Sequence, residues 1–206
     1  MDVPRLLLIS DGSSHENPRF MSIMEEACAA GIEAIQLREK QLDEREFYLL
    51  SRQLREISKK YGVRLYINEC VEIAKLIGAD GVHLPEKNLS SLPCRDIQVG
   101  VSVHSIDAAR QAEKEGADYI TFGPIFSTAS KERYGSPQGL KILKKLTASV
   151  EIPVIAVGGI DRMRAVDCIR HGAYGISVIS NIMHASQVGE AVQTMKKVME
   201  ETCERG

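Results

Sequence analysis

The 206-residue chain reads as an α/β protein, a single (β/α)8 or TIM barrel with short loops spanning residues 1–206. Three observations lead there. Short β-prone runs alternate with amphipathic helical stretches from end to end. A sequence echo recurs at every second unit of that alternation. Polar and charged residues gather just past the C-terminal ends of the runs, where barrels of this kind place their chemistry. Such barrels start at about 200 residues, so the loops must be short. A doubly wound open sheet is the alternative that the alternation alone allows.

The eight strand candidates are 5–9, 34–37, 64–67, 81–84, 99–103, 119–122, 153–157 and 175–179. Helical periodicity is clearest over 43–61, 106–115, 140–149, 162–171 and 187–201. Asp43 with Glu46 makes a capping-box pattern, while Ser105 and Asp161 can cap their helices. Gly31, Gly62, Gly116 and Gly172 stand where helices should end. The weakest helix lies between the fourth and fifth strands, where Ser90, Ser91 and Pro93 interrupt it. The echo runs AGIEAIQL, IGADGVHL, EGADYITF and HGAYGISV, each leading into an even-numbered strand. A repeat every two units is fourfold, which a closed ring accommodates and an open sheet with a switch point does not.

A formal net charge of −2 offers no electrostatic basis for nucleic-acid or membrane binding, and no apolar run is long enough to cross a bilayer. The N-terminal apolar stretch is too short for a signal peptide. The five cysteines are scattered, without a CxxC pair, which argues against disulfides and zinc. Cys28 and Cys168 fall on apolar helix faces. A cytoplasmic location is expected; the oligomeric state is open, with a homodimer as the expectation carried forward.

Several side chains beyond the strand ends suit anions. After the second strand, alternation turns Gln36, Arg38 and Lys40 to the barrel interior, an Arg fork and a Lys point charge fit for a diphosphate. The competing reading pairs them with Glu33 or Glu39. Asn68 and Glu69 follow the third strand, able to meet a phosphate oxygen and a metal; Asn68 could equally cap the helix from 71. His83 reads as structural, with Glu86 on the loop beyond it. Ser102 and His104 close the fifth strand, and His104 is a candidate acid–base group or a loop anchor. The sixth strand opens into TFGPIFSTASK, with Ser127, Thr128, Ser130 and Lys131 on its loop. Gly158 and Gly159 end the seventh strand, Ile179 and Ser180 the eighth, in the place where barrels commonly hold a phosphate. Two anion sites across one mouth suggest a transferase joining two phosphorylated substrates.

The segments QLREK, YIN, GADGVHL, GVSVHS, EGADYITFGPIFSTASK, IPVIAVGGI and GISVIS, in this order over nearly the whole chain, resemble the thiamine phosphate synthase family, which shares its fold with the thiazole tautomerases. The resemblance implies condensation of hydroxymethylpyrimidine diphosphate with hydroxyethylthiazole phosphate, releasing diphosphate, with Mg2+ as cofactor. It implies that Gln36, Arg38, Lys40, Asn68 and Lys131 hold the pyrimidine diphosphate, with Ser102 at the pyrimidine. Thr128, Ser130, Gly159, Ile179 and Ser180 fall on the thiazole phosphate side. The implied mechanism is dissociative, and Arg38, Lys40 and Lys131 neutralise the leaving group.

Two positions depart from the pattern. Glu69 and Asn88 stand where the family has Asp, so Mg2+ would depend on Glu69 and Glu86. The HLP segment leans toward the tautomerases, with His104 as the acid–base candidate. Against that, Pro124 occupies the tautomerase histidine position, and the diphosphate set is complete. A non-catalytic phosphate-ligand-binding regulatory protein is the third reading.

Overall fold

The computed structural model describes residues 2–12, 14–92, 96–127 and 136–203. Within them eight parallel strands close into a barrel in sequence order: β1 Leu6–Ile9, β2 Ala34–Leu37, β3 Arg64–Asn68, β4 Gly81–Pro85, β5 Gln98–Val103, β6 Tyr119–Phe122, β7 Val154–Val157 and β8 Gly175–Val178. β8 pairs back onto β1, Leu7 standing opposite Ser177, so the ring has no free edge. That closure excludes the open sheet.

Every residue of β1, β2, β6, β7 and β8 is buried, which explains why these strands read as apolar runs rather than as alternating ones. Outward residues such as Leu6, Leu8, Ile35, Leu65, Val82 and Val101 meet the surrounding helices in one large apolar layer. Inward residues Leu7, Ile9, Ala34, Tyr66, Tyr119, Ile155 and Val157 form a second, smaller core within the ring.

The helices are α1 Phe20–Ala29, α2 Glu44–Tyr61, α3 Val71–Ile77, α4 Ile106–Glu115, α5 Gly139–Thr147, α6 Arg162–Arg170, α7 Ser180–Met183 and α8 Val188–Cys203. α2 starts with the full Asp43–Glu46 capping box and ends on Gly62 in the left-handed conformation. Ser105 accepts from the Ala108 N–H and Asp161 from the Arg164 N–H, as their positions in the sequence suggest. Among the described residues between β4 and β5 there is no regular α-helix, only a six-residue 3-10 segment, Glu86–Ser91.

Two tyrosines fill the middle of the barrel. Tyr66 and Tyr119 are fully buried and meet edge to face, ring centres 5.7 Å apart. They fit because Gly81 and Gly100 lie beside them. A methyl at Gly81 would stand 2.8 Å from the Tyr66 ring, and one at Gly100 would overlap the Tyr119 ring. The Tyr66 hydroxyl is hydrogen-bonded to Gln98 and the Tyr119 hydroxyl to His83, so neither polar tip is stranded.

The echo has a physical content that the sequence does not display. Its fourth residue is Glu33, Asp80 or Asp118 in three copies, and each carboxylate accepts a backbone N–H from the preceding strand. Glu33 takes the Arg5 N–H at 2.9 Å, Asp80 that of Leu65 at 2.8 Å, and Asp118 that of Val99 at 2.6 Å. Asp80 and Asp118 also donate their own N–H to the carbonyls of Leu65 and Val99. Each is a two-point staple between neighbouring strands at the N-terminal end of the barrel. The fourth copy carries Tyr174, whose hydroxyl instead donates to the Val3 carbonyl.

Candidate functional site at the barrel mouth

The C-terminal ends of the strands bring most of the described candidate residues to one rim. Gln36 is buried on β2, and its Nε2 donates to Asn68 Oδ1 at 3.0 Å. Its Oε1 has no hydrogen-bond partner among the described residues, leaving a buried acceptor in the mouth. Asn68 donates in turn to Glu69 Oε1 at 3.4 Å. It therefore faces the mouth; α3 has Cys70 at its cap position and no side-chain cap.

Arg38 is anchored through its backbone, whose N–H donates to Ser10 Oγ at 2.7 Å. Gly12, at φ 98°, passes directly beneath the guanidinium, where a methyl would stand 3.1 Å from Nη1. Among the described residues no carboxylate pairs with that guanidinium. Lys40 pairs with Glu69 at 3.5 Å, across to the next strand, and not with Glu33 or Glu39. Glu33 is engaged at the opposite end of the barrel, with Arg64 and the Arg5 N–H.

Glu39 turns outward and is wholly buried. His15, on the loop after β1, meets its Oε2 through Nδ1 at 2.6 Å and through its own backbone N–H at 3.3 Å. This pair ties the first two loops of the rim together. Sequence reasoning missed it, because two residues 24 positions apart on different loops leave no periodic trace.

Ser102 lies near the C-terminal end of β5, on the wall of the mouth. Its hydroxyl is 2.8 Å from His83 Nε2 and 3.2 Å from Thr121 Oγ1, and His83 Nδ1 reaches the Tyr119 hydroxyl at 3.2 Å. His83 is buried and structural, as its strand position suggests, and it holds Ser102 in place. Burial pushes the Tyr119 hydroxyl well above the ordinary phenol range, with Tyr66 and Asp118 adding to the effect, so it remains a neutral donor. His104 anchors its loop: its ring nitrogen Nδ1 lies 3.1 Å from the Gly123 carbonyl, and its backbone N–H donates to Glu86 at 2.9 Å.

Across the ring, the ends of β7 and β8 enclose a cavity of about 230 Å³ lined by Gly158, Gly159, Ser177, Ile179, Ser180 and Asn181, among others. Gly158 and Gly159 have φ of 98° and 64°. Their missing side chains admit the loop after β6: a methyl on Gly158 would meet Pro124, and one on Gly159 the Ser127 carbonyl at 2.6 Å. The Ile125 and Phe126 N–H groups donate to Val157 and Gly158 carbonyls, fastening that loop to the cavity wall. Arg164 donates to the Gly159 carbonyl at 2.7 Å and lies over the Phe126 ring at 4.9 Å. Ser177 Oγ is buried and has no partner among the described residues. Ser180 opens α7, whose first N–H groups lack intrahelical acceptors. Glycine backbone, a hydroxyl and a helix start suit a phosphate.

Thr128, Ser130, Lys131 and residues 133–135 of the 133–137 loop lie outside the described residues.

The carboxylates expected to hold Mg2+ each have other partners. Glu69 Oε1 takes Lys40 and Asn68, its Oε2 lies 3.8 Å from Lys87 Nζ, and Glu86 Oε2 accepts the His104 N–H. Asn88 contributes a neutral amide. Among the described residues no group of three or more His, Cys, Asp or Glu side chains could hold a metal ion. Magnesium is bound by near-octahedral oxygens, commonly one or two carboxylates with substrate phosphates and waters, and here it would compete with Lys40 and Lys87 for Glu69.

Residues 6–182 match the family model described as thiamine monophosphate synthase. The thiamine-phosphate synthase of Moorella thermoacetica is 39% identical over 184 residues, 87% of this chain and 88% of that protein. That of Clostridium novyi is 36% identical over 199 residues, covering 94% and 98%. Among solved structures, thiamine phosphate pyrophosphorylase from Pyrococcus furiosus superposes with a TM-score of 0.84 at 34% identity, covering 96% of each chain.

Proposed function

The chain belongs to the thiamine monophosphate synthase family, and from that premise we propose that it condenses hydroxymethylpyrimidine diphosphate with hydroxyethylthiazole phosphate, releasing diphosphate. The observation that carries this reading is the pair of anion-suited sites on one rim. Arg38, Lys40 and Asn68 stand at the ends of β2 and β3, and the Gly158–Gly159–Ser180 cavity lies at the ends of β7 and β8. A reaction on one monophosphate would leave one of them idle.

In this reading Arg38, Lys40 and Lys131 receive the diphosphate. Gln36 and Asn68 help hold the pyrimidine diphosphate, Gln36 through the Oε1 that has no partner among the described residues, and Ser102 meets the pyrimidine. Thr128, Ser130, Gly158, Gly159, Ile179 and Ser180 hold the thiazole phosphate. The bond from the pyrimidine methylene carbon to diphosphate breaks, and the electron pair leaves with the diphosphate. The thiazole nitrogen lone pair then forms the new C–N bond. No proton has to move, so the protein acts by alignment and by charge placed where the leaving group gains it. No step is assigned to Mg2+, whose expected ligands are otherwise engaged.

The His104 ring, held against the Gly123 carbonyl, supports loop anchoring above the tautomerase role. A cytoplasmic enzyme belongs to the same reading, supported by the absence of any membrane-crossing helix among the described residues. Two-copy assembly is part of it too, supported by Leu49 and Leu76 left exposed on neighbouring α2 and α3, and light scattering decides it.

The test is direct. Both substrates are incubated with the protein, and diphosphate and thiamine phosphate are measured. Equal amounts of the two are expected. Arg38→Ala and Lys131→Ala are each expected to lower kcat/KM by about 100-fold or more, the scale for removing one preorganised charge-stabilising group. No diphosphate at high enzyme, with thiazole phosphate still bound, would sink the synthase reading in favour of the tautomerase or the non-catalytic binder.

A further inference from the structure

One cation at the mouth has no role in the reading above. Lys87 is the second residue of the 3-10 segment after β4, largely exposed, and its Nζ stands 3.8 Å from Glu69 Oε2. Lys40 reaches the other oxygen of the same carboxylate at 3.5 Å. Around the rim, the loops after β2, β3 and β4 thus present Lys40, Glu69 and Lys87 as one continuous ammonium–carboxylate–ammonium chain, with Arg38 just past the end of β2.

We infer that Lys87 is a further diphosphate-binding residue and that its ammonium, with that of Lys40, supplies the countercharge for which a divalent cation would otherwise be needed. The inference rests on the proposed reaction for its purpose, though not for its geometry. Three features support it. Both oxygens of the one carboxylate in the chain are already engaged, so a metal would have to displace ammonium groups to reach it. Glu86, on the segment after β4, has its Oε2 committed to the His104 N–H. Arg38, Lys40 and Lys87 outnumber Glu69 and Glu86, so the arc keeps a net positive charge, opposite in sign to a multiply charged leaving group.

The chemistry is consistent with this arrangement. An ammonium has three rotatable donors on a flexible stem, so Lys40 and Lys87 can swing from Glu69 to phosphate oxygens without rearranging the backbone. Glu69 keeps them at the rim beforehand. As the carbon–oxygen bond breaks, both ammonium groups donate to oxygens of the departing diphosphate, and the protons stay on nitrogen throughout.

The experiment is calorimetric titration of the full chain with inorganic diphosphate, once with a chelator and once with saturating Mg2+. Wild type, Lys87→Met and Lys87→Arg are compared, with circular dichroism as the folding control. Wild type is expected to bind in chelator about as tightly as with Mg2+. Lys87→Met should bind about tenfold or more weakly in chelator, the ratio for losing one charge-assisted hydrogen bond, and Lys87→Arg should recover most of it. Binding by wild type that vanishes in chelator, or a Lys87→Met variant equal to wild type, would overturn the inference. Metal-free, Lys87-dependent binding without diphosphate release from the two substrates would support it while defeating the proposed reaction.

Discussion

Gly100 decides what the centre of the barrel can contain. Its missing side chain is the space taken by Tyr119, whose hydroxyl leads through His83 to Ser102 at the mouth. We expect Gly100→Ala to destabilise the fold by about 1–3 kcal/mol, the usual cost of overpacking a filled core, read as a lower urea midpoint. In Gly100→Ala/Tyr119→Leu the ring is gone, so the double variant should lose less than the sum of the two single ones. A strictly additive loss would refute the account. Not all of the site could be read at this scale from sequence. Gln36, Arg38 and Lys40 follow from alternation at a strand end. The partners of Lys40 and Glu39 do not, because they come from other strands and loops, and the competing carboxylate Glu33 points to the far end of the barrel. The two glycines that admit the tyrosines leave no legible signal either, since a strand glycine reads the same whether it relieves a clash or weakens the strand.

At the scale of elements, the staples at the start of β2, β4 and β6 do more than end the preceding helices. Asp118 joins β6 to β5 by both its backbone and its carboxylate. Asp118→Ala should cost about 1 kcal/mol, the net worth of one such hydrogen bond, and Asp118→Asn, which keeps an acceptor, should recover most of it. Thermal unfolding of the two variants checks this, and equal losses would contradict it. The helix caps at Asp43, Ser105 and Asp161 were legible because capping is local chemistry over four residues. The connection between β4 and β5 was legible only as a weakness. Its serines and proline mark where a helix fails, without revealing that the 3-10 turn replacing it sets Lys87 beside Glu69.

For the whole molecule, the fourfold echo settles the choice between ring and open sheet, and the pairing of β8 with β1 agrees. The depth of burial has its own signature in pH. Burial pushes the Cys28 and Cys168 thiols up to about 12 from 9.0, with Glu25 and Asp167 respectively contributing. Burial likewise raises the Tyr66 and Tyr119 hydroxyls. These folded values exceed the unfolded ones, so their contribution is complete below pH 9 or so. It is lost as pH rises from there toward 12, because the unfolded chain releases protons that the folded chain keeps. Each thiol contributes at most about 1.4 kcal/mol per pH unit across that window. Urea midpoints measured at pH 8, 9, 10 and 11 should be level at first and then fall. A midpoint that stays level to pH 11 would contradict the assignment.

The interlocked tyrosines also turn the barrel into a vessel with one doorway. Whatever binds above Tyr66 and Tyr119 must come and go past the same rim, since the far end is packed shut beneath them. For a reaction that takes in two molecules and sends out two, traffic then has an order. Neither product can leave by a back exit while a fresh substrate enters, and each must clear the threshold before the next pair is seated. Diphosphate lingering on the lysine arc would bar the way to its own precursor and so act as a competitive inhibitor of it.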